Sequence, residues 1–311
     1  MTRIVFFGNE RLVSGLEKTS APILSGLIER GYDVVAVISH NSSTLSRNNR
    51  TLEVAEIAKA HDIPVYLPNK PTEIIEQIRA MNADIAVLAA YGKIISQQII
   101  DIFPLGIINV HPSMLPKYRG PTPIESAILN GDDTTGVSIM KLTSGMDEGP
   151  IYGQKSLQIG DDEDKFDLYA RISKTSETLF FGLFQSILEG SIQPQPQSKK
   201  GVTYCRLIDK KDGIIDWNKS AIDIVNEVRA YKNWPQSKTK LGNIDVIVTD
   251  AHSVVISNKN PSPGAIDTPD DDNLIVGTGN GFISIDSIKP LGKKEMPIKA
   301  FLSGYSSKIR N

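Results

Sequence analysis

Ile85-Ala86-Val87-Leu88-Ala89-Ala90 is an unbroken apolar run, closed off by Asp84 on one side and Tyr91-Gly92 on the other. It is too short for an ordinary helix and lacks the polar alternation of a half-exposed strand, so it reads as a strand covered on both faces. Such a strand needs layers above and below it, and the chain must supply them between its strands. It does so repeatedly. Ile4-Val5-Phe6-Phe7 is a first strand, ending at Gly8, where glycine permits a tight turn. Ser20 followed by Pro22, Leu24, Leu27 and Ile28, with Gly31 beyond, predicts a helix capped by Ser20. Residues 33–39 form the next strand, 52–61 a helix, 64–66 a short strand and 71–81 a helix with Ile74, Ile75 and Ile78 on one face. Residues 105–108 are another apolar strand. Alternation of this kind predicts an α/β unit built on an open, mostly parallel sheet of Rossmann-like type, whose ligands sit beyond the carboxyl ends of the strands. A Gly-x-Gly-x-x-Gly run is absent, which argues against a dinucleotide.

Beyond residue 120 the pattern changes. Residues 122–130 suggest a short helix, with Pro123 at its start and Gly131 at its end, and 137–142 with 150–159 a strand pair. A long helix is expected over 166–188 from Leu168, Ile172, Leu179, Leu183 and Ile187, with Phe180, Phe181 and Phe184 as core. Gln193-Pro194-Gln195-Pro196-Gln197-Ser198 has the composition of an extended linker. This divides the chain into a domain over 1–192, a linker over 193–203 and a smaller domain over 204–311. The second domain carries a helix at 221–228 and short β runs at 245–249, 253–257, 274–277 and 282–289, which argue for a small β-barrel.

A lone cysteine, Cys205, leaves no internal disulfide and no cysteine metal cluster. No apolar run approaches the roughly 18 residues that span a bilayer, and the N-terminal apolar run is too short for a signal-peptide core. A cytoplasmic protein with no membrane association is expected. The charge is uneven: residues 1–198 hold 17 basic against 23 acidic side chains, and 199–311 hold 17 against 13. The basic excess of the second part is modest and supports RNA binding only weakly.

The chemistry gathers at Asn109-Val110-His111-Pro112-Ser113-Met114-Leu115-Pro116-Lys117-Tyr118-Arg119-Gly120. Asn109 and His111 are two apart, so on a strand both point to one face. Prolines then end regular structure and shape a loop. Gly145-Met146-Asp147-Glu148-Gly149 sets a carboxylate between glycines after a second apolar run. Singly, each has a structural reading: a strand-end histidine as hydrogen bonder, an aspartate as turn residue. Together, an amide, an imidazole and a carboxylate on strand-end loops form an acyl-transfer set.

In this combination the chain resembles the folate-dependent formyltransferases. Their signature, Asn-x-His-x-Ser-Leu-Leu-Pro with a downstream Asp, is matched at Asn109, His111, Ser113, Leu115, Pro116 and Asp147, with Met114 standing for the usual Leu. Val202-Thr203-Tyr204, Asp212-Gly213-Ile214-Ile215-Asp216-Trp217, Arg229-Ala230-Tyr231, Asn233-Trp234-Pro235 and Gly292-Lys293-Lys294-Glu295-Met296 are similar to the second, OB-like domain of the branch that acts on initiator tRNA. The chain departs from that branch at Gly8-Asn9-Glu10, where Gly-Thr-Pro is usual, and in a shorter loop over 39–51 whose cations are Arg47 and Arg50.

The resemblance implies transfer of a formyl group from 10-formyltetrahydrofolate, with no metal, to the α-amine of initiator methionyl-tRNA. A sugar-nucleotide amine is the alternative acceptor, and non-catalytic RNA binding the alternative of another class. Asn109 and protonated His111 would stabilise the oxyanion, and Asp147 would keep His111 charged or order a water. Which of His111 and Asp147 is base and which orients stays open. Folate would lie between Ser113, Met114, Leu115 and Pro116 and the strand end at Tyr91, Gly92, Lys93 and Ile95, with the Leu115–Pro116 bond cis. Lys117 and Arg119 would meet the folate tail or tRNA phosphate, or stand as solvated charge. Arg47, Arg50, Lys199, Lys200, Arg206, Lys210 and Lys211 would contact tRNA. A monomer is expected, and a fragment ending near Ser198 would keep the site while losing tRNA affinity.

Overall fold

A computed structural model describes residues 1–40, 52–257, 260–270 and 272–309. Arg47 and Arg50, and the loop carrying them, lie outside the described residues. The chain divides into two compact units, Met1–Ile124 with Thr134–Gln158 and Leu168–Arg206, and Glu125–Asp133 with Ile159–Asp167 and Leu207–Asn311.

The elements run in chain order as β1 (Arg3–Gly8), α1 (Pro22–Glu29), β2 (Asp33–Ile38), α2 (Glu53–Ala60), β3 (Val65–Tyr66), α3 (Ile75–Ala80), β4 (Ile85–Ala89), α4 (Gln97–Ile100), β5 (Ile107–His111), α5 (Pro123–Leu129), β6 (Thr134–Lys141), β7 (Ile151–Gln158) and α6 (Lys165–Leu188). The first seven strands make one sheet in the order β3-β2-β1-β4-β5-β6-β7. Strands β1 to β5 pair in parallel, and β6 and β7 add an antiparallel edge. The apolar runs explain the centre: every residue of β4 and β5 is buried. At the end of β1, a Cβ on Gly8 would lie 1.9 Å from the Ala89 carbonyl oxygen, so strands β1 and β4 approach closely only because that residue is glycine.

Helix α1 starts differently from expectation. Its N-cap is Ala21 in the left-handed region with no side-chain cap, and Ser20 plays no such part. The first-turn amides of Ile23 and Leu24 instead donate to the Glu10 carboxylate, at 3.0 and 2.8 Å. Glu10 is 4% exposed, and burial, the dominant influence, pushes its carboxyl up to about 7 against those hydrogen bonds. The Asn9-Glu10 departure therefore supplies a distant cap. Helix α6 carries Phe180, Phe181 and Phe184; the Phe181 ring would meet a Cβ on Gly26 at 2.5 Å, so α1 and α6 pack at close range.

The second unit holds α7 (Ala221–Ala230), β8 (Ser237–Leu241), β9 (Ile244–Val254), β10 (Ile266–Asp267), β11 (Leu274–Gly277), β12 (Phe282–Pro290), β13 (Met296–Pro297) and α8 (Ile298–Ile309). Its antiparallel sheet runs β10-β11-β12-β9-β8, with β13 on β12. Two register shifts in the β9–β12 pair lie beside Ser287, the irregularity that bends and twists a sheet toward a curled, OB-like half-barrel. The run expected at 245–249 and the start of the one expected at 253–257 are one strand that ends at Val254, because β9 stays paired with β12 through Asp250 and Ala251. Ile224, Val228, Val246, Ile283, Ile285, Phe301 and Leu302 fill its core.

Candidate functional site

Strand β5 delivers Asn109 and His111 to one face at its carboxyl end, and both are buried, at 5% and 4% exposure. The His111 Nε2–H donates to the carbonyl of Tyr118, 2.9 Å away. Since a carbonyl only accepts, that contact places a proton on Nε2 and turns Nδ1 toward the Asp147 side. Nδ1 lies 3.8 Å from Asp147 Oδ2. Asn109 Nδ2 donates to Asp147 Oδ1 at 3.3 Å, and the Gly120 amide donates to Oδ2 at 2.8 Å. Asp147 sits in the left-handed region, φ 49°, within its glycine-flanked turn. Amide, imidazole and carboxylate thus converge at the strand end.

The Ser113-to-Pro116 loop is tied to β6. Ser113 Oγ donates to the Lys117 carbonyl at 2.6 Å. The Leu115 amide donates to Ser138 Oγ at 3.1 Å, and that hydroxyl donates to the Ser113 carbonyl at 2.6 Å. Gln154 Nε2 donates to both Leu115 O and Ser138 Oγ, at 2.9 and 2.8 Å. Met114 rests on Gly136, where a Cβ would come within 2.5 Å of its sulfur. The Leu115–Pro116 bond is cis.

The neighbouring strand end divides its residues. Tyr91 and Ile95 are buried in the core beside Phe7, Ile99 and Phe103, whereas Gly92 and Lys93 are exposed. Burial raises the Tyr91 phenol to about 12, and its ring meets Phe7 and His40 edge-on. Lys199, Lys200 and Arg206 are exposed in the first unit; Lys210 and Lys211 are exposed in the second, on a short 3-10 turn closed by a capping box of Asp209 and Asp212.

Sequence reasoning missed how the site is braced. Arg119 is 7% exposed, not solvated. Its Nε and Nη2 donate to Gln197 Oε1 at 3.2 and 2.8 Å, and its Nη1 to the Tyr204 hydroxyl at 3.1 Å and Glu148 at 3.5 Å. The expected linker is anchored: Gln195 bridges to Ile151, and the Tyr118 amide donates to Thr203 Oγ1 at 2.8 Å. Only the alternation of Gln and Pro hinted that residues 193–197 are extended; nothing local said what they touch. Among the described residues, no group of three His, Cys, Asp or Glu side chains is placed to hold a metal ion.

A family model described as "Formyl transferase" matches residues 3–182, and "Formyl transferase, C-terminal domain" matches 207–306. The methionyl-tRNA formyltransferase of Sulfurihydrogenibium sp. (strain YO3AOP1) is 36% identical over 291 residues, covering 92% of this chain and 93% of that one. That of Streptococcus thermophilus is 34% identical over 314 residues, covering 99% and 97%. Among solved structures, the N-formyltransferase from Helicobacter canadensis, complexed with folinic acid and dTDP-3-aminofucose, aligns with a TM-score of 0.70 at 19% identity, covering 92% of this chain and 99% of that one. HypX from Aquifex aeolicus, in complex with tetrahydrofolic acid, aligns with a TM-score of 0.65 at 17% identity over 99% of this chain, which spans about half of that longer one (48%). These likenesses report the same fold, while the sequence matches run through both units: the chain belongs to the formyl transferase family.

Proposed function

We propose that the protein transfers the formyl group of 10-formyltetrahydrofolate to the α-amine of methionyl initiator tRNA. The observation that carries the chemistry is the convergence of Asn109 Nδ2, the Nδ1 side of His111 and the Asp147 carboxylate at the end of β5. The full-length likeness to methionyl-tRNA formyltransferases, through the second unit, carries the acceptor.

The amine nitrogen adds to the formyl carbon. The carbonyl oxygen becomes negative, and the nitrogen must shed a proton. Asn109 Nδ2 and a protonated Nδ1 of His111 are the donors for that oxygen, each lowering the barrier by a few kcal/mol in a buried site. With Nε2 held by Tyr118, His111 can meet substrate only through Nδ1. Asp147 stabilises the imidazolium and orders the group or water that receives the amine proton. Collapse breaks the bond from the formyl carbon to the folate nitrogen, which takes up a proton. Ser113, Met114, Leu115 and Pro116 with Gly92 and Lys93 border the folate, and Lys199, Lys200, Arg206, Lys210 and Lys211 meet tRNA phosphate. Arg47 and Arg50 remain tRNA contacts on sequence grounds alone. The enzyme works in the cytoplasm, where tRNA is charged, as a monomer.

The test is transfer of radiolabelled formyl from 10-formyltetrahydrofolate to charged initiator tRNA. Labelled formyl-methionine is expected. Labelling of a sugar-nucleotide amine while charged tRNA stays unlabelled would overturn the acceptor and leave the chemistry.

A further inference from the structure

Gln197 uses every hydrogen-bonding position of its side chain. Its Nε2 donates to the carbonyls of Asp147 and Gly149, at 2.7 and 2.8 Å. Its Oε1 accepts from Nε and Nη2 of Arg119. We propose that Gln197 is a positioning residue for formyl transfer, setting the Asp147 carboxylate against His111 and Asn109 through the main chain of the Asp147 turn. The proposal rests on the reading that Asp147 belongs to the reacting centre.

The turn needs an external hold. Asp147 is a non-glycine residue at φ 49°, a conformation that costs about 1 kcal/mol or more. It stands between Gly145 and Gly149, residues that loosen a backbone. Its side-chain contacts are one short bond from the Gly120 amide and longer approaches to Asn109 and His111. Gln197 grips the main chain on both sides of Glu148. The far end of that grip is a guanidinium, whose charge strengthens the hydrogen bonds it makes, and Arg119 is buried enough to keep water from competing.

The same ladder reaches His111. Arg119 pairs through its main chain with Thr203 and Cys205, at 3.0 and 2.8 Å. Its neighbour Tyr118 supplies the carbonyl that fixes His111 Nε2. One amide side chain therefore joins the loop that orients the imidazole to the turn that carries the carboxylate. The segment bringing it there is registered by reciprocal main-chain bonds between Ile151 and Gln195, at 2.7 and 2.8 Å. Misplacing a reacting group by about 1 Å costs around a hundredfold in rate, so loss of this grip should be read in turnover.

The test is a kinetic cycle with whichever amine the wild-type enzyme formylates. Gln197→Ala is expected to lower kcat at least about tenfold while the folate KM moves less than about threefold. Gln197→Glu keeps the size and the Arg119 pairing but removes both amide donors, so it should be as slow as Gln197→Ala. In an Asp147→Asn background, Gln197→Ala should cost less than about threefold more, because a residue acting through Asp147 has little left to position. Hydrogen exchange at residues 143–150 should quicken in Gln197→Ala. Wild-type kcat in Gln197→Ala or Gln197→Glu, or an equal loss in both backgrounds, overturns the positioning role. Wild-type turnover in Asp147→Asn alone overturns the reading of Asp147 itself, a separate failure.

Discussion

Replacing Asn109 by Ala removes a donor aimed at charge that exists only in the transition state. Turnover is expected to fall about a hundredfold while a folate analogue binds almost as before. Asp147→Asn should behave alike, and single-turnover kinetics beside an analogue titration checks both. These residues were legible because their signal is local: two side chains on one strand face and a carboxylate between glycines need no knowledge of the rest of the fold. Gln197 and Arg119 were not. Arg119 meets a partner 78 residues away and Gln197 one 50 residues away, and no periodicity encodes such pairs. Glu10 was hidden likewise, its partners being amides 13 and 14 residues on.

For the elements, Glu10 makes α1 sensitive to pH. Its folded value of about 7 stands above the ordinary 4.5, so the folded chain keeps a proton that the unfolded chain releases. The resulting stability is full below about pH 4.5, drains as pH rises and is gone above about 7, a change on the order of 3 kcal/mol. Glu10→Gln should remove that slope, and thermal midpoints of both proteins across this range check it. At the start of α7, Ser220 Oγ accepts from the Asp223 amide, so Ser220→Ala should lose about 1 kcal/mol in a denaturant titration. The central strands of the first sheet were readable because burial on both faces leaves an uninterrupted apolar run. The short strands β10 and β13 and the turn α4 were not, since two to four residues carry no period. Helix α8 did carry one, through Ile298, Phe301, Leu302, Tyr305 and Ile309 after Pro297, and could have been found.

At the scale of the molecule, binding of tRNA should weaken steeply with salt. Lys210→Ala with Lys211→Ala should reduce the slope of log K against log salt by about one to two, without changing turnover on bound substrate. Filter binding at several salt concentrations gives the slope. The charge split read at residue 198 does not follow the compact units: the first holds 19 basic against 15 acidic side chains and the second 15 against 21. The first unit extends to Arg206, and a piece ending near Ser198 would lack Thr203 and Cys205, which pair with Tyr118 and Arg119. That arrangement also fixes an order of events on the ribosome. The sheet, with Asn109 and His111 already on it, is complete once β7 and α6 have emerged. The brace over it is synthesised afterwards and closes only when residues 195–205 leave the exit tunnel. A nascent chain paused before that point holds the scaffold of a transferase whose carboxylate is still unset, so competence arrives later than shape.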